Sequence, residues 1–444
     1  MPRYTSRMQC CRHFPVRFWC LVALTIGTST AHAAPALHEG VASCASTTCH
    51  GAARPLAGTR VLQNEYVVWS EFDPHAGAFR ILRGERSQAI ARRLGIGAAD
   101  QAPACLACHS EVVAAQARGA RFQPDDGIGC EACHGAAEKW LAGHDDGTPT
   151  AHLDSVQGGL LQLDDPVVRA PLCAACHVGS GDRLATHAML AAGHPRLSFE
   201  LDTFTELWRT SGGREHYRRD ADSAARKVFA SPAQVWLTGL VEGSGAAAAQ
   251  VVTAAGGGAL PEFAAFNCYS CHRDMGLSRW RDRQPGSGTP PGALRINDSA
   301  LRILATALTG WLPDQAAGLR HATDRLERAA NSDRAAVPGA VAKVRTELAG
   351  INQRLRAQPP QAADQQGMLM ALLRAANSGA YPDYATAEQV AMAVVVLLAD
   401  NGAGDRRRRE VDSLFAALED DAAFDQARFA RILSRFAATK RSPN

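Results

Sequence analysis

Beyond its first 33 residues the chain has no cysteine to spare for a disulfide, because all ten that remain fall in one recurring pattern. It also lacks a later apolar run long enough to span a bilayer, which takes roughly 20 residues. The nearest, Ala391 to Ala399, is too short. There is no basic stripe and no aromatic platform, so no nucleic-acid partner is expected. Methionine is scarce between the two ends, with only Met189 and Met275 in the middle of the chain. The balance of 46% hydrophobic and 20% charged residues is ordinary for a globular protein and points to no function by itself.

The first 33 residues read as a secretory signal. Arg3, Arg7, Arg12 and Arg17 give a basic start without an acidic residue, Phe18 to Ile26 is a short apolar run, and Ala31-His32-Ala33 fits a small-residue cleavage site. Cys20 lies inside the apolar run rather than at the cleavage point, which gives no case for a lipoprotein. Cleavage removes Cys10, Cys11 and Cys20 and shifts the formal charge from +3 to −1. The expected location is the periplasm, with no membrane span left after cleavage.

Four segments fit Cys-x-x-Cys-His: Cys105/Cys108/His109, Cys130/Cys133/His134, Cys173/Cys176/His177 and Cys268/Cys271/His272. A fifth, Cys44/Cys49/His50, has two extra residues between its cysteines. Two thiols at this spacing add to the two vinyl groups of a haem, and the following histidine supplies the proximal imidazole to the iron. A zinc site would not require histidine directly after every second cysteine. A thioredoxin-like redox motif uses one such pair, not five. About five covalently bound haems c are therefore expected, with a surface disulfide as the rival reading of Cys44 and Cys49. Residues 34–283 hold all five motifs, about 50 residues for each. So little chain per haem forces the haems close together, and crowded haems conduct electrons.

The mature chain holds thirteen histidines, of which five are proximal. This excess suggests a second histidine on most irons; methionine in that place would raise the potential. The distal candidates are His75, His144, His187 and His194. His75 follows Pro74, which suits the first turn of a helix. His187 and His194 are seven residues apart, two turns and about 10 Å along one face of a helix, which would serve two neighbouring haems. His152 competes with His144, and His38 is a weaker candidate. His216, in REHYRRD, reads as a solvated face, and His321 as the polar side of a helix. This count leaves one iron without a partner, and such an open iron could bind a small ligand.

The expected fold is mainly α: a multihaem cytochrome c fold with few strands, followed by a helical bundle. Residues 1–33 are the signal peptide, 34–283 the haem region, 284–292 (QPGSGTPPG) a linker and 293–444 the bundle. Ser231-Pro232 reads as a helix start, and Gly243 to Gly258 as a loop with a short helical piece. Apolar residues recur at helical spacing over Leu301–Leu312, Ala316–Ala330, Val337–Leu355, Gly367–Ala376 and Ala387–Leu398, with breaks at Pro359-Pro360 and over 377–382.

Taken together, CASTTCH, DPHAGAF, CLACH, DGIGCEACHG, CAACH, GHPRLSFEL and PEFAAFNCYSCH resemble the cytochrome c-554 type multihaem cytochromes, over roughly residues 38 to 283. The resemblance implies a mainly helical haem fold, closely stacked haem pairs and periplasmic electron transfer, in some members from hydroxylamine oxidation. It also implies that one haem can lack a sixth ligand, by motif order the one on His109. The fifth motif, the stretched first motif and the long C-terminal region depart from the family's four-haem pattern. The expected function is electron transfer between protein redox partners. Two further readings stand beside it. One is an oxidoreductase acting on a small nitrogen or sulfur compound at an open haem, lined by Arg183, Arg196 and Tyr217. The other is a structural or sensory haem protein. Whether the chain is an enzyme is open at this point, and no catalytic residue is assigned.

Overall fold

Proline at the first helical position recurs through this chain, and it shapes both halves of the fold. The computed structural model describes residues 35–438 except 60, 147, 149, 182, 211–215, 218–219, 222–228, 257–259, 273–292 and 401–406. The signal segment and the expected linker lie outside the described residues. Among the described residues there are helices and no strands, only isolated bridges such as His38 to Arg118 and Phe266 to Ile296. The fold is mainly α, as expected.

Up to about residue 200 the helices are short, and three of them end on a motif histidine: Pro103–His109, Cys130–His134 and Pro166–His177. Pro103 and Pro166 open two of these helices without costing a hydrogen bond, since the first-turn N–H has no intrahelical partner. The Asp165 carboxylate caps the second by accepting from the Val167 N–H at 2.8 Å. One turn of helix brings residues i, i+3 and i+4 onto one face. Both cysteines and the histidine of a motif thus point the same way. The apolar clusters here are small, for example Phe79, Leu82, Ala91 and Ala99 packed with Leu106.

From residue 232 the helices lengthen and share one large apolar core. Helix Pro232–Gly256 buries Trp236, Leu237, Leu240, Val241 and Val251. It packs on Pro166–His177 and Leu201–Thr210 on one side, and on Ser299–Leu308, Val337–Ala357 and Tyr384–Asp400 on the other. It therefore joins the motif-bearing part to the C-terminal helices. The expected loop at Gly243 to Gly258 is instead helical through Gly256. A helical glycine costs about 1 kcal/mol, and each buried large apolar side chain contributes about 1.5–3 kcal/mol, so tertiary packing outweighs propensity. The glycines also permit close approach: a Cβ on Gly239 would lie 2.7 Å from the Leu201 Cβ.

The remaining helices, Pro313–Ser332, Ala362–Asn377, Arg408–Ala416 and Gln426–Ala438, complete the bundle. The periodic segments expected from sequence lie in helices, except that the first helix ends at Leu308 rather than Leu312, and Pro359-Pro360 separates two of them. Gly310 and Gly367 touch where two segments cross; a Cβ on Gly310 would meet the Gly367 carbonyl at 2.2 Å. Among the described residues no helix is long and apolar enough to cross a membrane.

Candidate haem-binding sites

Numbered in chain order, the motifs of His50, His109, His134, His177 and His272 are the first to the fifth, and the fifth shows how a motif is closed. Asn267 accepts from the Tyr269 N–H, and the His272 N–H donates to the Cys268 carbonyl at 2.8 Å. In the stretched first motif the His50 N–H still donates to the carbonyl of the first cysteine, Cys44, at 3.2 Å. The additional residues are taken up by a turn in which the Cys49 and Gly51 N–H groups both donate to the Ser46 carbonyl. The insertion is looped out while the bond between the first cysteine and the histidine is kept.

Each motif histidine faces one other histidine. His50 and His144 are stacked with ring centroids 6.1 Å apart. His75 meets His177 edge-on at 5.9 Å, and His109 meets His194 edge-on at 6.5 Å. His134 stacks with His216 at 6.3 Å, and His187 lies at 6.2 Å from His272. These separations suit a shared metal. A metal to imidazole-nitrogen bond is about 2.0 Å and a ring nitrogen lies about 1.1–1.2 Å from its ring centre, so two imidazoles on opposite sides of one ion have centroids about 6.3 Å apart. The residues present fit haem better than zinc. Among the described residues no group of three or more His, Cys, Asp or Glu converges as a zinc site requires.

Several rings have one nitrogen already committed. The Nδ1 of His109, His144 and His194 lies 3.0, 2.7 and 2.8 Å from the carbonyls of Ala78, Leu141 and Pro195. His50 Nδ1 lies 2.8 Å from Glu65 Oε2, and His75 Nδ1 2.9 Å from Asp73 Oδ1. Donation from Nδ1 leaves Nε2 with its lone pair, the atom a metal would take. The Glu65 hydrogen bond raises the proton affinity of His50 against the opposing effect of burial, and Asp73 does the same for His75. Burial lowers four of the rings: His134 is held neutral down to about 4, and His109, His177 and His216 are shifted the same way. Neutral imidazole is the form that ligates.

Local chemistry explains these positions. Pro74 opens a single 3-10 turn, Pro74–Gly77, and the Asp73 side chain accepts from the His75 N–H. The Ile128 N–H donates to the His75 carbonyl at 3.1 Å, and the Trp69 indole N–H donates back to the Ile128 carbonyl at 2.9 Å. Gly127 has φ +83°, and a Cβ there would lie 2.6 Å from the His75 carbonyl. This is why glycine stands in DGIG.

Four expectations need correction. His187 and His194 do not share one helix: it ends at Ala191, Gly193 turns the chain at φ +108°, and the two rings face different motifs. His109, the position where the resemblance implies an open haem, has His194 opposite it. His216 is not on a solvated face; its ring stacks on His134. Arg196, expected beside a pocket, is paired with Glu388 at 2.9 Å and lies over the Tyr384 ring. Among the remaining histidines, His38 has its Nδ1 2.5 Å from Glu111 and its ring edge against Phe122. His152 and His321 are exposed. Met275 lies outside the described residues.

The motifs also adjoin one another out of chain order. The thiol of Cys44 adjoins that of Cys130, and the thiol of Cys108 adjoins that of Cys176. The first motif therefore lies beside the third, and the second beside the fourth. Sequence reading missed one organising residue, Glu131 in CEACH. Its buried carboxylate accepts from the N–H groups of Glu39 at 2.8 Å, Gly40 at 2.7 Å and Ala137 at 2.7 Å, and so fastens the N-terminal segment to the third motif.

The fifth motif has its own anchor in the bundle. The Arg295 N–H donates to Ser270 Oγ at 3.3 Å, and its carbonyl accepts from the Asn267 N–H at 2.8 Å. The Arg295 guanidinium bonds Asp298 and Asp383, and Asp298 also bonds Arg302.

Residues 38–135 match the family described as cytochrome c554 and c-prime. Neither the curated proteins nor the solved structures offer a match. The matched stretch holds three of the five motifs, those of His50, His109 and His134, together with His75. Over residues 38–135 the chain is thus similar to the cytochrome c554 and c-prime family, and that likeness agrees with the reading of the motifs as covalent haem attachment sites of a c-type cytochrome in electron transfer.

Proposed function

We propose that the chain is a periplasmic five-haem cytochrome that passes electrons between protein redox partners. On this reading the thioether cysteines are Cys44, Cys49, Cys105, Cys108, Cys130, Cys133, Cys173, Cys176, Cys268 and Cys271. His50, His109, His134, His177 and His272 are the proximal ligands. His144, His194, His75 and His187 are the distal ligands opposite His50, His109, His177 and His272 respectively. Bound haem supplies one-electron iron chemistry. The chain's own part is to fix both imidazoles of each pair before and after the electron moves, which keeps reorganisation small.

The observation that carries this reading is the set of opposed imidazoles, each pair drawn from distant parts of the chain. The adjoining motifs support transfer from haem to haem. His187 and His194, on one short segment, would tie the fifth haem to the haem on His109. The region through residue 283 carries the haems, and residues 293–444 support it as a helical bundle. A small-molecule oxidoreductase needs an open iron, and the presence of His194 opposite His109 speaks against one there.

Haem content per chain, measured by alkaline pyridine absorbance against intact mass, tests the proposal. Five haems on a chain cleaved after Ala33 is the expected result. Fewer than four would overturn it.

A further inference from the structure

We propose that Glu388, on helix Tyr384–Asp400 of the C-terminal bundle, is a positioning residue for the haem sites of His109 and His177, so that the bundle decides whether the iron on His109 stays closed by His194. The role rests on the multihaem reading above and gives the bundle a part in it.

Two of those sites depend on one irregular segment. Between the turn at Gly193 and helix Leu201–Thr210, residues 194–200 form no helix. The His194 ring faces His109 edge-on at 6.5 Å, and the Phe199 ring stacks on His177 at 4.7 Å and 26°. The two motifs adjoin through Cys108 and Cys176. The His194 Nδ1 hydrogen bond goes to the Pro195 carbonyl within the segment, so this ring turns with its own backbone. A segment without a helical ladder depends on side chains to hold that backbone.

Helix Tyr384–Asp400 supplies the hold. Arg196 and Ser198, two residues apart, turn their side chains to the same oxygen: Glu388 Oε2 accepts from the Arg196 guanidinium at 2.9 Å and from Ser198 Oγ at 2.6 Å. The Gln389 side-chain amide donates to the Phe199 carbonyl at 3.3 Å. Arg196 also lies over the Tyr384 ring at 5.2 Å, and the Tyr384 hydroxyl donates to the Leu418 carbonyl at 2.8 Å, which ties that ring into the bundle. Tyr384 and Glu388 are one turn apart on one helix face. The Glu388 side chain is only 19% exposed, and hydrogen bonds to a carboxylate shielded from water are stronger than neutral ones. The start of the segment is held from the other side. Arg86 and Arg93, on helix Glu85–Leu94, donate to the Gly193 and Ala192 carbonyls at 2.9 and 2.7 Å. His194 therefore stands between a hold from the N-terminal part and one from the bundle.

The test uses the haem-loaded full-length protein, read by electron paramagnetic resonance and by carbon monoxide binding to the reduced form. Glu388→Ala should bind one more equivalent of carbon monoxide than the intact protein and lose the low-spin signal of the His109 haem, which added imidazole should restore. The His177 haem keeps His75, so its signal should shift while staying low-spin. Glu388→Gln should behave as the intact protein, since one amide oxygen can serve both donors. Leu319→Ala is the control for bundle stability. Leu319 is fully buried on helix Pro313–Ser332, which packs on Ser299–Leu308 and Val337–Ala357. It should lower the thermal midpoint and leave carbon monoxide uptake unchanged; equal uptake in Leu319→Ala and Glu388→Ala would overturn the positioning role. His194→Ala opens the same iron directly. If His194→Ala gains an equivalent and Glu388→Ala does not, the role of Glu388 is overturned and the opposed-imidazole reading stands. If neither gains one, that reading fails at His109 and the role of Glu388 falls with it. Should Glu388→Ala not fold, the double variant Arg196→Met, Ser198→Ala releases the same oxygen from the other side. It should gain the same equivalent, and no gain would overturn the proposal.

Discussion

His109 and His194 meet edge-on, their ring planes 84° apart, whereas His50 and His144 are within 20° of parallel. The difference has a spectroscopic consequence. Parallel imidazoles split the two iron orbitals of π symmetry, and perpendicular ones leave them nearly degenerate. Three pairs are near parallel, at 20°, 25° and 33°, and two are near perpendicular, at 88° and 84°. The oxidised protein should therefore give three rhombic low-spin signals and two highly anisotropic ones. Five rhombic signals would sink this geometry.

Carboxylates single out two of the proposed haem sites. Glu65 accepts from His50 Nδ1, and Asp73 from His75 Nδ1. A carboxylate acceptor makes the imidazole more basic and favours the oxidised iron. The Glu65→Gln variant should raise the potential of the His50 haem by on the order of 60 mV, equivalent to about 1.4 kcal/mol for one electron. A spectroelectrochemical titration in which no component moves would refute the role.

The Glu131 carboxylate satisfies three backbone N–H groups at once. Glu131→Ala would leave them without acceptors, at about 1–3 kcal/mol for each donor that stays buried. The thermal midpoint should fall by several degrees, and proteolysis should begin near residues 37–41. An unchanged midpoint would show that the N-terminal segment is held by other means.

Asp298 is fully buried between Arg295 and Arg302. Burial pushes its carboxyl up, but the two guanidiniums outweigh this and hold it below the usual range. An acid with a depressed folded value contributes stability above its unfolded value of about 3.9 and loses it as the pH falls through the folded one. Asp298→Asn should cost about 3–5 kcal/mol at neutral pH, because it leaves two buried cations short of an anion. Denaturant titrations should show a constant gap from wild type between about pH 5 and 8, narrowing only below about pH 4. A gap that narrows on raising the pH instead would contradict the assignment. Since Arg295 also holds Ser270 and Asn267, the haem on His272 should loosen first.

Much was legible along the chain because it depends on residues close in sequence. Covalent haem attachment calls for two cysteines and a histidine close together in the chain, so candidate motifs stand out in the sequence by spacing alone. Helical periodicity identified segments of the C-terminal bundle, and Pro74 and Pro232 marked the starts of a 3-10 turn and a helix. Three-dimensional packing decided what depends on distant residues. Which histidine faces which motif is set by long-range folding, so His194 opposite His109 and His216 opposite His134 could not be read from spacing. The same holds for helix Pro232–Gly256, where burial of Trp236 and its neighbours overrides the glycines that suggest a loop. Glu131 carried no signal beyond its place in the motif, because its three hydrogen-bond donors are brought to it only when the N-terminal segment folds back. Local covalent chemistry is written in the order of the residues; the partners that complete each site are chosen by packing.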